Sequence, residues 1–167
     1  MSMTLGSDSG VIIVTGGAGF IGSAVVRELL ANYDCCVVNM DCLTYAGNLE
    51  TLCDITESKR YVFEQVNICD ANSVRRIFQK YDPTGLIHLA AESHVDRSID
   101  AADAFIYTNI VGTYTLLEAV RAYQLEQEVS DGPGCRFLHV STDEVYGSLG
   151  AEGFFSEQSP YQPNSPY

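Results

Sequence analysis

Thr142, Asp143 and Glu144 stand side by side where the run Arg136-Phe137-Leu138-His139-Val140-Ser141 gives way to a polar, glycine-rich stretch. A hydroxyl beside two carboxylates can orient a substrate hydroxyl, donate one proton and accept another. Acting together on one substrate, such an acid and base can eliminate water once a neighbouring carbon has been oxidised. The triplet also reads as a helix start, because threonine and aspartate cap helices and glutamate is favourable in a first turn. Spacing alone leaves both readings open.

A second set of residues with chemistry lies in Val11-Ile12-Ile13-Val14-Thr15-Gly16-Gly17-Ala18-Gly19-Phe20-Ile21-Gly22. Strand, glycine turn and helix in that order are the setting of a dinucleotide-binding fingerprint. The turn must bend sharply and let a pyrophosphate come close, which a Cβ would block. The helix behind it offers unpaired N–H groups and the positive end of its dipole. Two overlapping spacings fit, Gly17-x-Gly19-x-x-Gly22 and Gly16-x-x-Gly19-x-x-Gly22, and they share Gly19 and Gly22. Asp41 follows Gly22 by 19 residues and closes the next apolar run. A carboxylate there accepts from the adenosine ribose hydroxyls and selects NAD over its 2′-phosphorylated relative. A strand-closing acid can equally be a turn residue; the glycines before it favour binding.

These residues need elements to hold them. Four β-branched residues from Val11 form a first strand that runs into the glycines, and a helix follows from about Phe20 to Asn32, with Ile21, Ala24, Val25 and Leu29 as its buried stripe. Cys36–Asp41 is a second strand, followed by a loop over Leu43–Asn48 and a short helix near Leu49–Ile55. Tyr61–Val66 alternates like a third strand. Asn72 is placed to cap the next helix, whose apolar positions are Val74, Ile77, Phe78 and Tyr81. Asp82-Pro83-Thr84-Gly85 breaks it, and Leu86–Ala91 is a fully buried fourth strand. One long helix is expected from about Ala101 to Glu126, with Phe105, Thr108, Gly112, Leu116, Ala119 and Tyr123 at helical spacing. Gly112 in its interior points to close packing. After the turn Asp131-Gly132-Pro133-Gly134, Arg136–Ser141 is the fifth strand. Alternating strands and helices make an α/β fold, a Rossmann-type doubly wound parallel sheet in the order 3-2-1-4-5. Its crevice lies beyond the C-terminal ends of strands 1 and 4. The glycine turn, Asp41, the Ala90–Ser93 segment and Thr142–Glu144 all fall on that edge.

With 167 residues and an apolar fraction of 46%, the chain suits one domain with a proper core. A formal charge of −13 opposes nucleic acid or an anionic membrane as partner. No apolar run reaches membrane-spanning length, and residues 1–10 read as a flexible start rather than a signal peptide. The six cysteines, Cys35, Cys36, Cys42, Cys53, Cys69 and Cys135, form no Cys-x-x-Cys pair and have no histidine at ligand spacing. They read as free thiols in a reducing cytoplasm, with no metal.

The sequence resembles the dTDP-glucose 4,6-dehydratases of the extended short-chain dehydrogenase/reductase superfamily. The resemblance is carried by residues 14–23, by Leu43-Thr44-Tyr45-Ala46-Gly47-Asn48-Leu49-Glu50 and by His88-Leu89-Ala90-Ala91-Glu92-Ser93-His94-Val95-Asp96-Arg97-Ser98. Thr108-Asn109-Ile110-Val111-Gly112-Thr113 and Ser141-Thr142-Asp143-Glu144-Val145-Tyr146-Gly147 continue it. It implies a tightly held NAD that is returned unchanged, oxidation of the sugar at C4, loss of water across C5 and C6, and reduction at C6. In those terms Thr142 orients the 4-hydroxyl, Asp143 protonates the leaving 6-hydroxyl and Glu144 removes the C5 proton. Cofactor contacts carry over to Phe20, Ile21, Asp41, Leu43, Thr44, Ile68, Leu89, Ala90, Ala91, Ser93 and Thr108, with Ser93 also facing substrate.

The family commonly has a basic residue where this chain has Cys42, and an aspartate at Asn67, a position that accepts from the adenine amino group. Its catalytic tyrosine belongs to a Tyr-x-x-x-Lys helix after a Pro-rich segment like Tyr161-Gln162-Pro163-Asn164-Ser165-Pro166, which aligns that tyrosine with Tyr167, the last residue. The resemblance thus divides the chain into residues 1–10, an NAD-binding domain at 11–147, and a loop at 148–167 leading to a helix the chain does not contain. The later strands and the sugar-nucleotide domain are absent, and nothing is expected to lock the Tyr167 phenol. The expected partner is dTDP-glucose, and the full-length protein is expected to be a homodimer. An NAD-dependent nucleotide-sugar epimerase or decarboxylase, or a non-catalytic dinucleotide-binding fragment, are the alternatives; the former usually lack the Asp143-Glu144 pair.

Overall fold

Five parallel strands in the order β3-β2-β1-β4-β5 form one sheet in the computed structural model, which describes residues 10–130, 132 and 134–167. They are β1 (Val11–Thr15), β2 (Cys36–Asp41), β3 (Tyr61–Gln65), β4 (Gly85–His88) and β5 (Arg136–His139). In register, Ile13 stands between Val38 and Leu86, with Val62 and Phe137 continuing the row outward. The fold class and strand order agree with the sequence expectation.

Side chains alternate between the faces, and helices cover each. On one face Ile13, Val38 and Leu86 meet Val74, Ile77 and Phe78 of α2 (Ala71–Tyr81) and Leu116, Val120 and Tyr123 of α5 (Thr113–Ser130). On the other, Val14 and Val37 meet Val26 and Leu30 of α1 (Phe20–Asn32), with Leu52 beside them. Full burial of an aliphatic side chain such as Ile77 is worth roughly 1.5–3 kcal/mol, so both layers contribute heavily. Arg60 fastens the far end of α1, donating to the carbonyls of Leu30 (2.6 Å), Tyr33 (2.8 Å) and Cys35 (3.2 Å). A cation there complements the negative end of the helix dipole.

The structure corrects several expectations. The buried stripe of α1 is Gly22, Ser23, Val26 and Leu30, while Ile21 is 61% exposed and Ala24 is exposed. The helix approaches the sheet through its small residues, which a count of bulky apolar side chains overlooks. Asp70, not Asn72, caps α2: its carboxylate accepts from the N–H of Asn72 (3.1 Å) and of Ser73 (3.3 Å). The helical segment expected at Leu49–Ile55 is a 3₁₀ turn over Leu49–Leu52.

A helix not expected from the sequence, α3 (Val95–Asp100), precedes the region of the expected long helix, and that helix is itself divided into α4 (Ala102–Phe105), a π-helical segment (Ile106–Gly112) and α5. Ala101, at φ −140° and ψ 58°, takes the chain out of helix between α3 and α4. Gly112 lets the π-helical segment press on the loop after β3; a Cβ there would lie 2.5 Å from Ile68 Cδ1. Strands β3, β4 and β5 end at Gln65, His88 and His139, short of the expected Val66, Ala91 and Ser141. Their last expected residues turn toward the loops at the C-terminal edge. The turn at 131–134 falls partly outside the described residues, as do residues 1–9 of the expected flexible start.

Replacing Asp70 by Ala is expected to lower the melting temperature by about 3 °C, the effect of losing one helix cap. Asn72→Ala is expected to leave it within about 1 °C. Thermal unfolding of both variants by circular dichroism checks the reassigned cap.

Candidate functional site

The glycine turn is shaped by contacts that exclude side chains. Gly16 has φ +70°, and a Cβ on it would sit 2.8 Å from Ala90 Cα. A Cβ on Gly22 would overlap the Gly16 carbonyl oxygen, so the first turn of α1 lies directly against the end of β1. A Cβ on Gly17 would meet the Asn39 side chain rather than backbone, and Gly19 serves as the cap residue of α1. No acidic residue occupies the first turn of α1 and no side chain caps it. Its N–H groups and the positive end of its dipole therefore face the crevice, a setting that suits an anion.

Asp41 is buried at the end of β2, with one carboxylate oxygen accepting from Ala18 N–H (3.0 Å) and the other from Leu43 N–H (2.8 Å). Leu43 adopts φ +56° to make the second bond, a conformation uncommon outside glycine. The carboxylate is thus fixed in orientation, and each oxygen retains lone-pair capacity for a further donor. Beyond β3, Asn67 is exposed and its Oδ1 accepts from Cys69 N–H (2.9 Å), while Ile68 is buried beneath Gly112.

At the end of β4, hydrogen-bond accounting fixes a tautomer. Thr15 Oγ1 accepts from the N–H groups of Leu89 and Ala90 (3.2 Å each), so its own proton goes to His88 Nδ1 at 2.7 Å. His88 then carries its proton on Nε2 and donates to Thr113 Oγ1 at 2.9 Å. Burial, with a smaller contribution from His139, lowers the His88 pKa to about 4, so the ring is neutral near neutral pH. Farther along, the Glu92 peptide is clasped by Asn109 of the π-helical segment, whose Oδ1 accepts from Glu92 N–H and whose Nδ2 donates to Glu92 O, each at 2.9 Å. Thr108 is half-buried on the same segment, and Ala91 and Ser93 are exposed on the loop. Thr15, His88 and Asn109 were not singled out from the sequence. Their signal was a polar residue inside an otherwise apolar strand or helix.

After β5, Thr142 caps a 3₁₀ turn over Asp143–Tyr146, its Oγ1 accepting from Glu144 N–H at 3.2 Å. The capping reading is realised, and Asp143 and Glu144 stand exposed on the turn's first residues. The chain then loops out and returns, closed by Gln162 N–H to Val145 O (3.0 Å), with Tyr146 packed between Phe155 and Tyr161. The half-buried Tyr167 ring lies edge-on to the buried Phe105, with centroids 6.1 Å apart.

Every candidate site residue named from the sequence, except Thr108 and Tyr167, therefore ends or follows a strand at the C-terminal edge of the sheet. Among the described residues no group of three or more His, Cys, Asp or Glu side chains is placed to hold a metal ion. None of their helices is long and apolar enough to cross a membrane. All six cysteines carry free thiols.

A family model described as GDP-mannose 4,6 dehydratase matches residues 13–167. A dTDP-glucose 4,6-dehydratase of Neisseria meningitidis serogroup B is 57% identical over 157 residues, which are 93% of this chain and 44% of that protein. The structure of a dTDP-glucose 4,6-dehydratase from Streptomyces venezuelae with NAD and TYD bound superimposes with a TM-score of 0.81 at 43% identity, covering 94% of this chain and 47% of that one. A UDP-glucose 4-epimerase from Thermotoga maritima with UDP-glucose gives 0.78 at 33% identity, covering 94% and 46%. The chain spans less than half the length of these relatives.

The lowered His88 pKa predicts a pH dependence of stability. Because the unfolded ring protonates near 6.5 and the folded ring near 4, acid favours unfolding across that window. Stability is expected to be complete above about pH 6.5 and to fall by on the order of 3 kcal/mol as the pH drops to about 4. Chemical denaturation at stepped pH, with His88→Gln losing that part of the slope, checks the assignment.

Proposed function

Since this chain belongs to the GDP-mannose 4,6-dehydratase family, we propose that it is the NAD-binding part of a nucleotide-sugar 4,6-dehydratase acting on dTDP-glucose. The observation that carries this reading is one sheet edge with a side-chain-free anion cradle and a fixed ribose acid at one end, and an adjacent hydroxyl and two carboxylates at the other. The relatives named above support it, as the dehydratases are the more similar.

The residues present fit NAD. Gly16 and Gly22 seat the turn and the start of α1 against the end of β1, Gly19 puts no side chain at the cap position, and the N–H groups of Phe20 and Ile21 at the start of α1 would receive a pyrophosphate. Asp41 would accept from the adenosine ribose hydroxyls, with Leu43, Thr44, Asn67 and Ile68 around the adenine. Leu89, Ala90, Ala91, Ser93 and Thr108 would face the nicotinamide half. When bound, NAD supplies the acceptor for a hydride from the sugar and its later return.

The chain's own residues handle protons and position. Thr142 uses its oxygen to cap the 3₁₀ turn and keeps its O–H to orient the sugar 4-hydroxyl. Tyr167, ionised to its phenolate, takes the proton of that hydroxyl and becomes the phenol. With a ketone at C4 the C5 proton is acidic. Glu144 removes it, and Asp143 gives a proton to the 6-hydroxyl, which leaves as water. Ser93 contacts the sugar. An epimerase has no use for this acid–base pair.

Two further statements belong to the reading. Ile106, Tyr107, Ile110, Tyr114 and Leu117 form an exposed apolar stripe at helical spacing, which suits a second copy of the chain in a homodimer. Residues 11–147 act as the NAD-binding domain and 148–167 as the lead into the tyrosine segment, in a protein of the cytoplasm, where free thiols persist.

NAD is expected to bind at least about tenfold more tightly than NADP, because the fixed Asp41 carboxylate would meet the 2′-phosphate with like charge. Calorimetry with both cofactors tests this, and equal affinities would refute the placement of Asp41. The chain alone is expected to form no 4-keto-6-deoxy sugar, since it spans under half its relatives' length and remote substrate contacts supply much of the positioning energy. A product assay beside a version extended to the relatives' length checks this, and equal rates would refute it.

A further inference from the structure

Contacts on both sides of the glycine turn tie it to the loops after β2 and β4. On the β2 side, Asn48 N–H donates to Ala18 O at 2.9 Å. On the β4 side, Gly16 abuts the Ala90 backbone. A third contact joins the two loops directly. Tyr45 reaches from the β2 loop and its hydroxyl donates to Glu92 Oε2 at 3.2 Å. The Arg97 guanidinium lies 4.2 Å from the Tyr45 ring centroid, and the His94 ring centroid is 5.8 Å away. Glu92 is itself anchored, because Asn109 clasps its peptide on both sides.

Strand order gives this contact its meaning. β2 and β4 flank β1, so a link between the loops that follow them crosses the C-terminal end of β1. That end carries the glycine turn, where a pyrophosphate would lie on the first turn of α1. The three contacts therefore close a ring: Ala18 to Asn48, along the loop to Tyr45, across to Glu92, and back through Ala90 to Gly16.

We infer that Tyr45 and Arg97 are further dinucleotide-binding residues, forming a bridge that closes over NAD, so that the cofactor leaves only when the bridge opens. This rests on the reading of the crevice as an NAD site. The bridge is held by a hydrogen bond and a cation–π contact between exposed groups rather than by packing, with Tyr45 54% exposed. Such a link opens readily for entry and still slows exit. Burial and the Glu92 carboxylate raise the Tyr45 pKa, so the phenol remains a donor at neutral pH. Arg97 also brings a cation to the rim of the crevice in a chain of net charge −13.

The test is the rate at which NADH, followed by its fluorescence, is released from the full 167-residue chain into excess NAD. Tyr45→Ala is expected to release NADH roughly tenfold faster, as a hydrogen bond and a cation–π contact are lost together. Tyr45→Phe, which keeps the ring under Arg97, and Arg97→Ala, which keeps the hydroxyl, are expected to fall between parent and Tyr45→Ala. Association rates and cofactor-free melting temperatures should stay close to the parent's. Should Tyr45→Ala not fold, the other two variants decide. Release within twofold of the parent in all variants overturns the bridge. So does slower release or faster association, which would mean that Tyr45 obstructs the site. Failure of the parent to bind NADH overturns the NAD reading itself, a different result from a parent that binds and variants that behave like it.

Discussion

The site depends on the contact between Gly22 and the Gly16 carbonyl. A helix can deliver its N–H groups to an anion above a sheet only if its first turn sits directly on the end of a central strand. Here the spacing is so tight that a single methyl at Gly22 would overlap backbone oxygen, an overlap no rotamer change can relieve. The small face of α1, Gly22 and Ser23 followed by Val26 and Leu30, follows from this approach. So does the position of Ala18, whose N–H reaches the Asp41 carboxylate. One steric constraint thus ties β1, α1 and the acid of β2 into a rigid unit.

The fold was largely legible in the sequence, and the reason lies in which signals are local. β2 is bounded to the residue, and β1 to within one, because each is a buried apolar run flanked by turn residues. α2 showed its face because Val74, Ile77, Phe78 and Tyr81 carry a strong period. The misses came from features that are not local. Asp70 and Asn72 are both good caps in composition, and only the position of the first helical residue decides between them. The stripe of α1 was displaced by one because the closest contact is made by residues with almost no side chain. The π-helical segment leaves no mark in the apolar period, since Phe105, Gly112, Leu116 and Tyr123 remain buried through it, and the six-residue α3 is too short to show a period at all.

The candidate site was legible where backbone geometry demands a residue type, as at Gly16, Gly22 and Asp41. It was not legible where one polar side chain serves another. Thr15 and His88 read as ordinary strand residues until the N–H groups of Leu89 and Ala90 are counted, and Asn109 reads as a helix residue until its amide is seen clasping Glu92. At Thr142 the two readings left open by the sequence prove compatible. Capping occupies a lone pair of its hydroxyl oxygen and leaves the proton available.

The position of β5 divides the site mechanically. β1 is central and hydrogen-bonded on both sides, whereas β5 pairs with β4 alone and shows Leu138 at 57% exposure. Local opening begins where backbone bonds face solvent and few apolar contacts hold the chain. The glycine turn and Asp41 hang from the inner, slowly opening part of the sheet. Thr142, Asp143 and Glu144 hang from its outer, quickly opening rim. One edge of one sheet thus carries the glycine turn and Asp41 on a stiff seat, and the Thr142–Glu144 turn on a compliant arm.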